Sequence, residues 1–223
     1  MDKIASKIVC SILFLLVPIS AGAFDELNEP QTLIYDTDHL SKTVEGSAIT
    51  YSYELQREGE EPLIDKVTLS IAKEREENRR DVSVKFLSGE YKLHLPDFDN
   101  YRGNPVIIGM LEHLAQSMGY DTGGGALYFR NRIKDQLASD EVVIEQREAD
   151  GFAGTGEKIR LTEFSFAPLH NDPFVLNRPE LTESTITVTF SEDVPGHLVS
   201  IAYISGPERK PVSNRVLEFE SVK

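Results

Sequence analysis

The sequence predicts a β-rich α+β fold: a twisted antiparallel sheet or open barrel of about nine strands, covered by a two-helix insertion over residues 104–138. Three observations predict it. Apolar residues alternate with polar ones through most of the chain, the period of a strand with one buried face. One central block, 104–138, breaks that rhythm and follows helical spacing instead. No internal repeat or low-complexity tract divides the 223 residues, so the strands on either side of the block are expected to share one domain.

The elements follow in order. Ile49, Tyr51, Tyr53 and Leu55 share one face of a first strand, and Val67, Leu69 and Ile71 one face of a second. A charged turn, 57–62, joins them. Val82, Val84 and Phe86 make a third strand, and the segment before it, 73–80 (KEREENRR), reads as a solvated hairpin tip. Ser88-Gly89 then turns the chain into a fourth strand carrying Tyr91, Leu93 and Leu95. Beyond the helical block, Val142, Val143 and Ile144 form one strand. Ile159 and Leu161, leading to Phe164 and Phe166, form the next, with the glycine-rich loop 151–156 between the two. Ile186, Val188 and Phe190 give another, Val199, Ile201 and Tyr203 follow the turn at Pro195-Gly196, and Leu217 with Phe219 ends the series.

The helical block opens with Asn104 as N-cap and Pro105 at the first helical position, where its missing N–H costs nothing. On a wheel, the apolar residues of 106–118 spread over roughly 200 degrees, about twice what one packing face requires. This helix is therefore buried on two sides, or covers a cavity while packing on something else. His113 falls on its polar side. The second helix, 125–138, carries a narrower stripe of Ala126, Phe129, Ile133 and Leu137, with Arg130 at its edge.

Residues 1–23 read as an export signal. Lys3 and Lys7 precede an apolar run, and Ala21-Gly22-Ala23 supplies the small-x-small cleavage pattern, so the mature chain is expected to span 24–223. That places the protein in the periplasm or outside the cell, with no membrane span once the signal is removed. Cys10, the only cysteine, lies inside the signal, which leaves no disulfide and no thiolate metal ligand. Removing 1–23 takes 37 acids to 36 and 23 bases to 21, changing the net charge from −14 to −15. Such a surface repels nucleic acid and anionic membranes, so neither is expected as a partner.

The most site-like stretch is Gly123-Gly124-Gly125 running into Ala126-Leu127. A P-loop needs Gly-Lys-Ser/Thr here, and a dinucleotide fingerprint needs a strand before its glycines, whereas this run follows a helix. What remains is an anion site made of backbone N–H groups at a helix start, or a helix–helix joint whose glycines allow positive φ. Arg130 either pairs internally with an acid or offers its guanidinium to a ligand head group. The loop Asp97-Phe98-Asp99-Asn100-Tyr101-Arg102 alternates acids as a calcium loop does, but Arg102 stands where glycine is needed and Ile108 where the closing glutamate belongs. Gly-x-Ser-x-Gly and His-Glu-x-x-His are both missing from the sequence, so no cofactor, metal or catalytic residue is assigned.

Gly103-Asn104-Pro105, Leu111-Glu112-His113 and GGGALYFRNRI at 123–133, together with YDTDHL at 35–40 and DKVTLSI at 65–71, resemble a group of secreted proteobacterial proteins with no assigned activity. The resemblance covers most of the mature chain and implies a periplasmic setting. In architecture, a β-meander interrupted by helices is similar to the half-barrel-with-lid carriers that hold lipoprotein acyl chains.

These readings converge on a soluble periplasmic binding or carrier protein, non-enzymatic, for an apolar or amphipathic ligand. Met110, Leu114 and Phe129 would touch that ligand and Arg130 its head group. One alternative is a cell-envelope structural or adaptor protein that binds a partner protein through a strand edge. Another is a hydrolase whose site is assembled from the loops bearing His39, Asp97, Asp99 and His170.

Overall fold

Nine strands and four helices alternate along the chain in a computed structural model that describes residues 26–151, 158–206 and 211–223. The expected export signal and most of the 151–156 loop lie outside those residues. The elements are α1 (Glu29–Tyr35), β1 (Ala48–Arg57), β2 (Leu63–Glu74), β3 (Arg80–Phe86), β4 (Phe98–Tyr101), α2 (Pro105–Thr122) and α3 (Ala126–Leu137). Then come β5 (Val143–Asp150), β6 (Lys158–Phe166), α4 (Pro179–Thr182), β7 (Thr185–Phe190), β8 (Leu198–Ser205) and β9 (Ser213–Val222).

All nine strands form one open sheet in the order β4-β3-β2-β1-β9-β8-β7-β6-β5, with every neighbour antiparallel. Two meanders, β1–β4 and β5–β9, therefore meet at a central seam where the first and last strands pair, Tyr53 opposite Leu217 and Leu55 opposite Arg215. The α2–α3 pair connects the two outer edges of the sheet. It crosses one face on the way, with α2 against β2 and β3 on one half and β8 on the other. The fold is the expected β-rich α+β sheet with a two-helix cover after the fourth strand.

The covered face holds the main core. Ile49, Tyr51 and Tyr53 of β1, Val67 and Leu69 of β2, Ile186 and Val188 of β7, and Leu217 of β9 are buried there against α2 and α3. The wide apolar arc of α2 is accounted for: Val106, Ile107, Met110, Leu114, Ala115 and Met118 are all buried, as is Gly109, whose Cβ would stand 2.9 Å from Leu95 Cδ1. A second, smaller cluster of Ile159, Leu161, Val194 and Val199 lies apart from it. On β6, Ile159 and Leu161 serve this second cluster while Phe164 and Phe166 serve the first, because the odd and even positions of a strand point to opposite faces.

Three local expectations are corrected. The fourth strand is 98–101 rather than the Tyr91–Leu93–Leu95 segment, which makes a 3₁₀ turn at Gly89–Tyr91 and only an isolated bridge from Leu93 to Phe86. Leu87 with φ of 53° swings the chain off the ladder at that point, and Pro96 cannot donate to one. The tip 73–80 is not wholly solvated either. Arg80 is buried, donating through Nη2 to Thr43 O at 2.9 Å with Glu74 Oε1 at 4.0 Å. His113 is likewise buried rather than solvent-facing. α1 and α4 are short helices beyond those expected; Asn28 and Gln31 build a reciprocal capping box that starts α1.

At the joint between α2 and α3, Gly123 takes φ of 73° and ends α2 in the left-handed conformation that glycine adopts without strain. The helices approach so closely that a Cβ on Gly119 would meet Gly124 O at 3.0 Å and Ala126 N at 3.2 Å, both backbone atoms. Gly119→Ala should therefore lose about 1–3 kcal/mol of stability through overpacking, although alanine is the better helix former. Gly125→Ala, which meets nothing within 4 Å, should be nearly neutral. Urea denaturation of the two variants beside the parent checks this, and a G119A variant as stable as the parent would contradict it.

Candidate functional site

A cleft of about 590 Å³ opens beside the C-terminal half of α2. One wall is a helical stripe: His113, Gln116, Ser117, Tyr120 and Asp121 follow one another at i, i+3, i+4, i+7 and i+8, the spacing of a single face. The opposite wall is the 3₁₀ turn after β3, with Glu90, Tyr91, Lys92 and Leu93, and Arg57 stands at the end of β1. The turn that disrupts the expected fourth strand is thus what faces α2 across the opening.

Behind the His113 wall lies a polar, buried group that meets the cleft through His113 and Asp121. His113 Nε2 lies 3.1 Å from the Tyr53 hydroxyl, and the two rings meet edge to face. Beside them stands Arg215, only 2% exposed, on the inward parity of β9 between Leu55 of β1 and Tyr203 of β8. Its guanidinium carbon lies 5.5 Å from the centre of the Tyr203 ring. Nη1 is 3.3 Å from Ser213 Oγ, and Nη2 is 3.7 Å from an Asp121 carboxylate oxygen, a separation too long for a hydrogen bond. Nε finds no hydrogen-bond acceptor among the described residues.

These neighbours set one another's protonation. Burial pulls the His113 pKa down to about 4, and the positive charge of Arg215 pushes the same way. Burial raises the Tyr53 hydroxyl to about 12, against the opposing pull of Arg215. At neutral pH both are uncharged, so the Arg215 guanidinium supplies the charge of this buried group. A second hollow of about 310 Å³ adjoins the first, sharing Arg57 and Asp121 and adding Arg178, Glu180 and Ser213. Arg178 holds this junction by donating to the Asp121 backbone carbonyl at 3.0 Å.

The residues singled out from sequence fall elsewhere. Met110, Leu114 and Phe129 are fully buried in the core between the helices and the sheet. Arg130 is exposed and bound to Glu112 through two parallel hydrogen bonds of 2.7 Å, the internal pair. Gly123, Gly124 and Gly125 form the interhelical joint; the Gly123 and Gly124 N–H groups are turned inward to Tyr120 O and Thr122 Oγ1 at 3.4 and 3.1 Å. Arg132 binds the fully buried Asp172, 2.7 Å away, which also accepts from Tyr128 Oη and from Phe174 N–H.

His39 is buried against Phe190 and His197, while His170 and the Asp97 loop are at the surface. Among the described residues no group of three or more His, Cys, Asp or Glu is disposed to hold a metal ion. Of the two sheet edges, β4 is four residues long, and β5 carries Glu145, Arg147, Glu148 and Asp150, charges of the kind that blunt an edge. Local pattern does not reveal the buried group behind the cleft. Its one signal was Arg215, a charge placed two residues before Leu217 on the apolar parity of a strand.

Three buried histidines, His39, His113 and His197, give the fold an acid limit, each held below its ordinary pKa chiefly by burial. His39 and His113 are both held near pKa 4, below the usual 6.5, chiefly by burial. The unfolded chain therefore takes up protons that the native state refuses as pH falls from about 6.5 to 4, and stability drops over that window. His39 and His113 should each cost about 2 kcal/mol between pH 7 and pH 5. Urea titration of His113→Gln should show a shallower loss than the parent, with the share of His39 and His197 retained; an unchanged pH slope would refute the assignment.

No family model matches the chain, and no curated protein matches it. Among solved structures it is similar to the LolA superfamily protein NE2245 from Nitrosomonas europaea, at 8% identity, over 87% of this chain and 92% of that one, with a TM-score of 0.22. A superposition that loose carries no argument, and the site stands on its own geometry.

Proposed function

We propose that the chain, as one β-rich unit over 24–223 released from its signal, is an extracytoplasmic binding or carrier protein for an amphipathic ligand, without catalytic activity. The observation that carries the reading is the cleft beside the C-terminal half of α2. Its volume falls within the roughly 300–1,000 Å³ of small-molecule sites, and it opens to solvent between α2, the 3₁₀ turn and the end of β1. Among the described residues no helix is long and apolar enough to cross a membrane.

The cover supplies the apolar part. Met110 and Met118 are flexible side chains that can repack around a guest, and Leu114 lies between them on the same helix. Opening would turn on the Gly123–Gly125 joint, exposing Met110, Leu114 and Phe129 to a hydrocarbon chain whose head remains in the cleft. Arg130, tied to Glu112 at the surface, would stay outside this path.

Native mass spectrometry of protein purified without detergent tests the reading. A one-to-one adduct that organic extraction removes is the expected result. Protein that carries no adduct and fails to take up an added amphiphile would overturn it.

A further inference from the structure

Arg215 is the least satisfied charge in the described interior. A guanidinium presents five N–H donors and cannot shed its proton, so burying one is costly unless carboxylates or other acceptors surround it. Here the nearest carboxylate, Asp121, stands 3.7 Å away and belongs to a side chain 41% exposed at the last turn of α2. Nε has no acceptor among the described residues. The rest of the environment is the Tyr203 face and the hydroxyls of Ser213 and Tyr53, none of them a match for a charge.

The cleft lies in front of this charge. Arg57 and Lys92 line it with Arg215 behind, against two acids, Glu90 and Asp121. The lining itself balances, two bases against two acids, in a chain whose net charge is −14; Arg215 behind it adds one positive charge and Glu60 beside Arg57 one negative. Salt limits the repulsion from the remaining surface to a range of about 8 Å, so the near field decides what enters. Arg57 stands 3.5 Å from Glu60 with its side chain 31% exposed, and Tyr91 and Asp121 of the cleft also act on it.

We propose that the cleft binds an oxyanion group, a carboxylate or a phosphate, held between Arg57 and Arg215. Resting on the carrier reading, this names the polar end of its ligand, although the anion site also stands without it. The Asp121 carboxylate occupies the Arg215 side in the free protein. It turns outward when the ligand arrives, exchanging a distant ion pair for charge-assisted hydrogen bonds to both guanidinium groups. The Tyr53 hydroxyl and neutral His113 lie alongside as uncharged partners and add no competing anion.

Isothermal titration of the purified protein with inorganic phosphate, laurate and dodecyl phosphate tests this, with dodecyl maltoside as the uncharged control. Arg57→Gln and Arg215→Met are compared with the parent. Arg57 is at the surface, so its variant keeps the fold even if the core fails to repack in the Arg215→Met protein, and circular dichroism reports on both. The expected result is that the anionic amphiphiles bind and that each substitution weakens them by about tenfold or more, with the maltoside unaffected. If inorganic phosphate binds with the same arginine dependence but no amphiphile does, the oxyanion site stands and the carrier reading falls. If laurate, dodecyl phosphate and the maltoside bind equally and neither substitution matters, the oxyanion site is refuted and the carrier reading survives. If nothing binds, both fail.

Discussion

The side chain and backbone of Asn104 tie together four parts of the molecule. Its Oδ1 accepts from Val106 N and so starts α2, while Nδ2 donates to the Tyr51 hydroxyl in the centre of the sheet at 2.8 Å and to Gly196 O in the β7–β8 turn at 2.9 Å. Its own N–H donates to His39 Nδ1 at 3.1 Å, in the loop between α1 and β1. Every one of these groups is buried, so each unmade bond would cost the desolvation of a polar atom. The position and angle at which the helical cover leaves the sheet therefore rest on one amide. The arrangement also fixes a tautomer: Nδ1 of His39 accepts, and the ring must be neutral for it to do so.

From that anchor α2 runs across the covered face, and its two ends do different work. The first three turns are apolar on almost every side and fill the space between sheet and α3. The last two present a polar stripe toward the 3₁₀ turn, and the cleft exists because the stripe and the turn fail to close on each other. Behind that gap the sheet carries the polar-tipped Tyr53 and Tyr203 and the charged Arg215, on a face that is otherwise largely apolar. A core of this size could bury a leucine at position 215 more cheaply than a guanidinium. That the fold tolerates the charge is intelligible if the charge serves something other than stability.

Much of this is legible in the sequence. Strict alternation at 49–55, 67–71, 186–190 and 199–203 announces strands because one face is buried and the other is not, and Asn104-Pro105 announces the helix start because the two residues solve the same end problem. Period-two patterning is silent where a strand is short and peripheral, as with β4, and where a chain leaves its ladder through a positive φ at Leu87. It is silent too about Arg80 and His113, buried residues whose partners, Thr43 and Tyr53, are distant in the chain. The cleft belongs to this second class. It joins the ends of β1 and β9 to a helix and a turn, a juxtaposition that depends on strand order, and local pattern does not encode strand order.

That strand order also has a temporal side. The central seam pairs residues 48–57 with 213–222, so the two strands with the greatest separation in sequence are neighbours in the middle of the sheet. Each meander can zip by local hairpins, but until β9 docks, β1 and β8 present long, β-branched, unpaired edges of the kind that recruits other chains. Assembly of the sheet is thus closed from its centre rather than its rim, by the last of the nine strands to be synthesised. A chain made this way has reason to remain bound to helpers until β9 has docked, and the same seam is where a copy lacking that strand would expose its most adhesive surface.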